Sequence, residues 1–296
     1  MTALGRRLLA VWNPSASGGR YRGEVPLMLE ALRSLGFRVE EAETKEQGDA
    51  TSLARRAVAE SFDVVCAIGG DGTVNETING VAGSDVVLSI IPTGTVNVLA
   101  MELGIPLEPP DAVRLLAEGN VSWIDLGAAG ERYFALMAGI GMDAAVVASL
   151  NPTMKKAFKE AAFAVQGLAT YLTKEEPRIR VESEERVVEG YFAVFGNASN
   201  YGGGFGITPL ADMRDGLLDM CVLTDKSLAS TVWYWTAALV NAHLKHPNVE
   251  YFRTTRASIT TVEEGKQVLV QVDGEIAGEL PIECRIVPRS LRVVVP

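Results

Sequence analysis

Short apolar runs and stretches of helical spacing alternate along the first part of the chain. Leu8–Trp12, Phe37–Glu41, Asp63–Ile68 and Val86–Ile91 read as strands. Between them Leu29, Leu32 and Leu35, then Leu53, Ala57 and Val58, fall on single helical faces. That alternation predicts βαβ units and a parallel sheet. After Leu126 the texture changes to longer β-rich stretches, "RYFALMAGI", "RIRVES", "RVVEGYFAVFGN", "LLDMCVL", "VEYFRTTRASITTV" and "KQVLVQVDGE". Helical patterns over 153–174 and 228–244 interrupt them, and the whole predicts a second, largely antiparallel domain. The division expected is 1–126 and 127–296, with the final run, 291–296, free to return to either domain.

Composition narrows the function. A net charge of −10 argues against a general nucleic-acid binder, which needs a broad basic surface. Only five apolar residues separate Arg7 from Asn13, too few for a signal-peptide core, and no apolar run approaches the length of a membrane span. Cys66, Cys221 and Cys284 are odd in number and each sits in an apolar stretch, so they read as buried thiols of a cytoplasmic protein. His243 and His246 lie near a helix end without a third His or Cys nearby, and a surface or capping role is favoured over a metal site.

The stretch "VVCAIGGDGTVN" at 64–75 carries the sharpest chemistry. Buried-strand residues run into Gly69 and Gly70 at a strand-to-helix turn, where backbone N–H groups and the helix dipole suit phosphate. No G-x-x-x-x-G-K-[ST] and no complete G-x-G-x-x-G is present. A carboxylate aimed at phosphate would repel it, so Asp71 implies Mg²⁺ or a proton-transfer role, and the bland alternative is a tight turn that happens to carry Asp.

Further motifs follow in order. "GGDGTVNETING" at 69–80 resembles the signature of the diacylglycerol kinase catalytic domain, shared more loosely with sphingosine kinases, NAD kinases and phosphofructokinases. The resemblance takes in "WNPSASGG" at 12–19, "IIPTGTVNVLAMELGIP" at 90–106, "FALMAGIGMDAAV" at 134–146, "GNASNYGGGFGITPLADMRDGLLDM" at 196–220 and "VDGE" at 272–275. The chain departs from bacterial lipid kinases at Val96 and Val98, where Gly and Asp are usual, which bears on nucleotide selectivity at that edge. Val96 also implies a backbone with no positive φ there.

The resemblance implies an α/β fold with an N-terminal Rossmann-like, phosphofructokinase-like domain, a β-rich second domain and an active site in the interdomain cleft. It implies that Asn13, Pro14, Ser15, Ala16, Ser17, Gly18, Thr44, Gly69, Gly70, Asp71, Gly72, Thr73, Val74, Asn75 and Thr95 line an ATP site. For Ser15, Ser17 and Thr44, turn and cap chemistry accounts for the residue types equally well. It implies a structural Mg²⁺ site at Asp212, Asp215 and the Leu217 carbonyl, where a plain β-turn is the alternative. It also implies that Asp273 and Glu275 act with Asp71 in catalysis, one acid as proton acceptor and one helping to hold metal, with Glu275 favoured as the base. If extended, "VDGE" projects both acids to one face, whereas Gly274 equally permits a hairpin.

The leading function is an ATP- and Mg²⁺-dependent lipid kinase, with diacylglycerol as the expected acceptor. A soluble-substrate kinase of the NAD kinase type and a catalytically weak nucleotide sensor are the alternatives. The expected partner is a lipid at the inner membrane face, contacted reversibly, with no nucleic acid and with a homodimer left open. Lys155, Lys156 and Lys159 beside Phe158 and Phe163, with Arg20 and Arg22, are the expected membrane patch, unless that helix simply packs on the core.

Overall fold

The computed structural model describes residues 5–141, 177–200, 206–238 and 240–296. The chain forms two compact units, Met1–Asp125 with Pro288–Pro296, and Leu126–Val287. In the first unit the elements run β1 (Arg7–Trp12), α1 (Val25–Ser34), β2 (Arg38–Glu43), α2 (Asp49–Ala59), β3 (Val64–Gly69), α3 (Asp71–Val81), β4 (Val87–Pro92), α4 (Val98–Glu102) and α5 (Pro109–Glu118). The strands are parallel in the order β2-β1-β3-β4, and Arg292 and Val293 pair in parallel with Val87 and Leu88 of β4.

Burial explains the patterns. Every residue of β3 and β4 is buried, as expected of parallel strands covered on both faces. β2 is an edge strand whose only buried residue is Ala42, and its three glutamates discourage pairing with another chain. Val25, Met28, Leu29 and Leu32 form the buried stripe of α1, while Leu35, expected in that stripe, is the C-cap. α2 buries only the small Ala50, Ala54 and Ala57. Gly80 on α3 lets the two helices approach, since a Cβ there would collide with the Ala54 methyl and lie 2.7 Å from the Thr51 carbonyl.

The second unit is a sandwich. It contains β5 (Asn120–Ala129, continuous with the first unit), β6 (Arg132–Phe134), β7 (Met137–Gly141), β8 (Ile179–Ser183), β9 (Val187–Gly190), β10 (Phe192–Gly196), β11 (Leu218–Leu223), α6 (Leu228–Ala238), β12 (Val249–Thr254), β13 (Arg256–Thr261), β14 (Leu269–Val272), β15 (Glu275–Glu279) and β16 (Ile282–Val295). One antiparallel sheet runs β12-β11-β10-β7-β14-β15; in the other, β13 pairs with β8 and with the start of β16. Phe195, Met220 and Val270 of the first meet Val181, Ile259 and Cys284 of the second in one apolar core. All three cysteines are free and buried, and burial pushes the Cys66 and Cys221 thiols up to about 12.

Two local expectations change. The helix predicted over 228–244 ends before Asn241, because Asn241 adopts φ 53° and the amides of Asn241 and Ala242 bond back to the carbonyls of Ala238 and Ala237. That is a Schellman ending, with Asn in the left-handed position. His243 is fully buried rather than a surface or capping residue. Its Nε2 bonds the Ile207 carbonyl at 2.8 Å, its ring meets Tyr234 edge-on, and burial lowers its pKa, so it is neutral. The predicted helix at 153–174, with Lys155, Lys156, Lys159, Phe158 and Phe163, lies outside the described residues.

Candidate active site

The loops at the carboxyl ends of β1, β3 and β4 are tied together by their own polar atoms. Parallel pairing of those strands sets their ends side by side, the position where open α/β sheets take ligands. The Asn13 Oδ1 accepts from the Ser15 amide at 2.8 Å, and its Nδ2 reaches Thr73 Oγ1 at 3.5 Å. Ser17, at φ 48°, donates its hydroxyl to the Thr93 carbonyl at 2.6 Å. Thr44 is buried, with its Oγ1 3.4 Å from the Trp12 carbonyl. Pro14, Ser15, Ala16 and Gly18 form the turn between these anchors, and Thr95 lies exposed at the rim.

The Gly69–Gly72 turn abuts the Thr93–Asn97 turn. A Cβ on Gly94 would sit 2.5 Å from the Gly70 Cα, so only glycine backbones fit there. No side chain caps α3, whose N-cap residue is Gly70. Its first-turn N–H groups, Asp71 to Thr73, therefore form a backbone cradle of the kind that suits phosphate. Val74 is 5% exposed and donates its amide to the Gly70 carbonyl, so its side chain packs inward as a helix residue. Asn75 is likewise buried.

The Asp71 carboxylate turns toward protein rather than outward. Its oxygens accept from the amides of Val98 at 2.7 Å and Asn97 at 3.1 Å, at the start of α4. The repulsion argument for a cation beside Asp71 therefore falls away, because two amide dipoles already face the charge. Burial nevertheless raises its pKa, the hydrogen bonds only partly opposing the shift. The left-handed residue of this loop is Asn97, at φ 59°, so Val96 sits where no positive φ is required. Asn97 closes the turn by accepting from the Gly94 amide and donating to its carbonyl, a role the sequence reading had not assigned.

"VDGE" is a hairpin, the second of the two arrangements that its residues permit. Asp273 and Gly274 take φ 46° and 83° between paired Val272 and Glu275, a tight two-residue turn of the I′ kind. Asp273 accepts three main-chain N–H groups, from Ala135 at 2.8 Å, Leu136 at 2.9 Å and Met137 at 3.0 Å. Its carboxylate thus fastens the turn to the β6–β7 connection. Glu275 pairs with Arg132 at 2.5 Å, both side chains about a quarter exposed. Arg132 carries no motif, and nothing in the sequence pairs it with Glu275.

The 212–217 segment is a polar turn. Asp212 accepts from the Arg214 amide and Asp215 from the Leu217 amide, each at 3.0 Å, and Asp215 lies 3.7 Å from Arg253. Asp219, fully buried, bonds Tyr251 at 2.6 Å and Arg253 at 3.3 Å; burial raises its pKa despite both partners. Among the described residues no group of three or more His, Cys, Asp or Glu could hold a metal ion. Two carboxylates and one carbonyl are hard oxygen donors that fit Mg²⁺ only if water or phosphate completes its shell.

Comparison with known proteins identifies the family. Residues 7–129 match the model of the diacylglycerol kinase catalytic domain, and residues 136–295 that of the YegS C-terminal NAD kinase beta sandwich-like domain. A diacylglycerol kinase of Staphylococcus saprophyticus is 30% identical over 280 residues, covering 93% of this chain and 91% of the relative. One from Staphylococcus aureus is 29% identical over 295 residues, covering 98% and 93%. A solved structure of a candidate diacylglycerol kinase from Bacillus anthracis superposes with TM-score 0.82 at 23% identity, covering 100% of this chain and 97% of that one. At that identity the likeness speaks to the fold.

Proposed function

The chain belongs to the diacylglycerol kinase family and is a kinase, and from that premise we propose that it transfers the γ-phosphoryl group of ATP to the free hydroxyl of diacylglycerol, giving phosphatidic acid. The observation that carries the reading is the pair of abutting glycine turns, packed too closely for side chains, beside a start of α3 that no side chain caps. Phosphoryl transfer asks mainly for positioning and charge stabilisation. The N–H groups of Asp71 to Thr73 would hold phosphate oxygens, Thr95 and the Asn13–Gly18 loop the rest of the nucleotide. Asp71, through the Asn97 and Val98 amides, holds the second turn against the first.

Mg²⁺, when bound, would neutralise phosphate charge. Glu275 would take the proton as the acceptor hydroxyl attacks, oriented by Arg132. Asp273 would set the turn on which Glu275 stands. The test is incubation of the purified chain with labelled ATP and a lipid panel. Label should appear in phosphatidic acid, and Glu275→Gln should lower kcat by about 10²–10⁴-fold with little change in ATP affinity. A second reading, a soluble-substrate kinase, is favoured by the NAD kinase-like match of residues 136–295. Label in NADP rather than lipid would establish it.

A further inference from the structure

Helix α6 carries its polarity inside out. Its outward positions, Ala229, Val232, Trp233 and Thr236, continue to Val240 at intervals of three and four residues, a single stripe. Val232 is 41% exposed, Trp233 39% and Val240 73%. The stripe's one hydroxyl, on Thr236, donates back to the Val232 carbonyl at 2.8 Å, so its hydrogen-bonding need is met within the helix. The hydroxyl-bearing residues Ser230, Thr231 and Tyr234 face inward and are buried. Ser230 donates to Asp225 at 2.6 Å, and the Tyr234 hydroxyl lies 3.5 Å from the Cys221 sulfur. A helix that faced only water would have the opposite arrangement.

Charge around the stripe also departs from the rest of the chain. No Asp or Glu occurs from Lys226 through Val249, although the chain holds 37 acids. The nearest one before it, Asp225, is occupied with Ser227, Ser230 and Asn248 at the start of the helix. Lys226 precedes the helix and Lys245 follows it in the chain, both exposed, and the Trp233 ring lies 4.5 Å from that of His246. An apolar face holding Trp, on a segment whose charged residues are two lysines and no acid, has the composition of a membrane-interface surface. Four residues of one helix and one beyond its end are too few for a stable protein interface, which needs upwards of about 1,000 Å².

We propose that the outward stripe of α6 is an insertion surface for an anionic lipid bilayer, with Trp233 at headgroup depth and Lys226 and Lys245 flanking it. The proposal deepens the lipid-kinase reading and rests on it only for the reason the surface exists. It is tested with the full chain and vesicles of phosphatidylglycerol and phosphatidylcholine that contain no diacylglycerol. Wild type should co-sediment with the anionic vesicles, and brominated lipid should quench its tryptophan emission. Trp233→Phe should still sediment but lose most of that quenching. The double variant Val232→Asp, Val240→Asp, checked for fold by circular dichroism, should partition at least tenfold more weakly while phosphorylating detergent-dispersed diacylglycerol at the wild-type rate. Unchanged partitioning of the double variant overturns the proposal. So does sedimentation velocity showing a wild-type dimer that the double variant dissociates while vesicle binding persists. Vesicle binding of this pattern without phosphorylation of any lipid would sink the function proposed above and leave the surface standing.

Discussion

Asp273→Asn separates anchoring from chemistry at the "VDGE" turn. Asparagine tolerates the left-handed φ of 46° and is favoured before glycine in this turn, so the backbone is spared and only the carboxylate changes. One amide oxygen can keep the Leu136 and Met137 N–H groups, but the new NH₂ must face the Ala135 N–H, a donor against a donor. Ala135 is 1% exposed, so water reaches it poorly. Losing a hydrogen bond to a charged group costs about 1.5–3 kcal/mol, and a stranded buried N–H about 1–3 kcal/mol. Partial relaxation places the sum at roughly 2–4 kcal/mol, which for a unit of this size lowers the thermal midpoint by roughly 5–15 °C. Circular dichroism melts read the midpoint, and turnover per folded molecule, measured well below it, should fall by less than about tenfold, short of the 10²-fold or more of a positioned acid or base. A midpoint within the error of wild type, together with a 10²-fold loss of turnover, would refute the anchoring argument and place Asp273 at the reacting atoms.

Gly94→Ala should raise the KM for ATP and cost about 1–3 kcal/mol of stability, because the new methyl meets both the Asn97 side chain and the Gly70 backbone, and the backbone cannot swing away; an unchanged KM in titrations of ATP would count against the phosphate cradle. Arg132→Ala should lower kcat while leaving ATP affinity intact, and steady-state kinetics showing no change would remove its orienting role toward Glu275. Asp71 has a raised folded-state pKa, so its contribution to stability is fully present below its unfolded value near 3.8 and is lost as pH rises through the folded value. The stability of Asp71→Asn relative to wild type should therefore improve from pH 3 to pH 7 in urea titrations, and the opposite slope would show that the two amide bonds outweigh burial.

Period-two and period-three-four spacing, read without any structure, was enough for the parallel sheet and for the antiparallel second unit, because burial on two faces or one is written directly into the order of apolar residues. The same spacing overran α6, since a Schellman ending depends on one asparagine adopting a left-handed backbone. It also left β5 unnamed, because the strand's first four residues are only partly buried or exposed. Glycine turns and acids were legible as types: "GGDGT" and "VDGE" announce phosphate and carboxylate chemistry by composition alone. What those carboxylates face was not legible. Asp71 meets Asn97 and Val98, Asp273 meets Ala135 to Met137, and Glu275 meets Arg132, partners set by strand pairing and turn geometry across long separations in the chain. Hydrophobic order is a local, one-dimensional signal that sequence carries in full, whereas a hydrogen bond between distant residues exists only once the backbone has closed the loop between them.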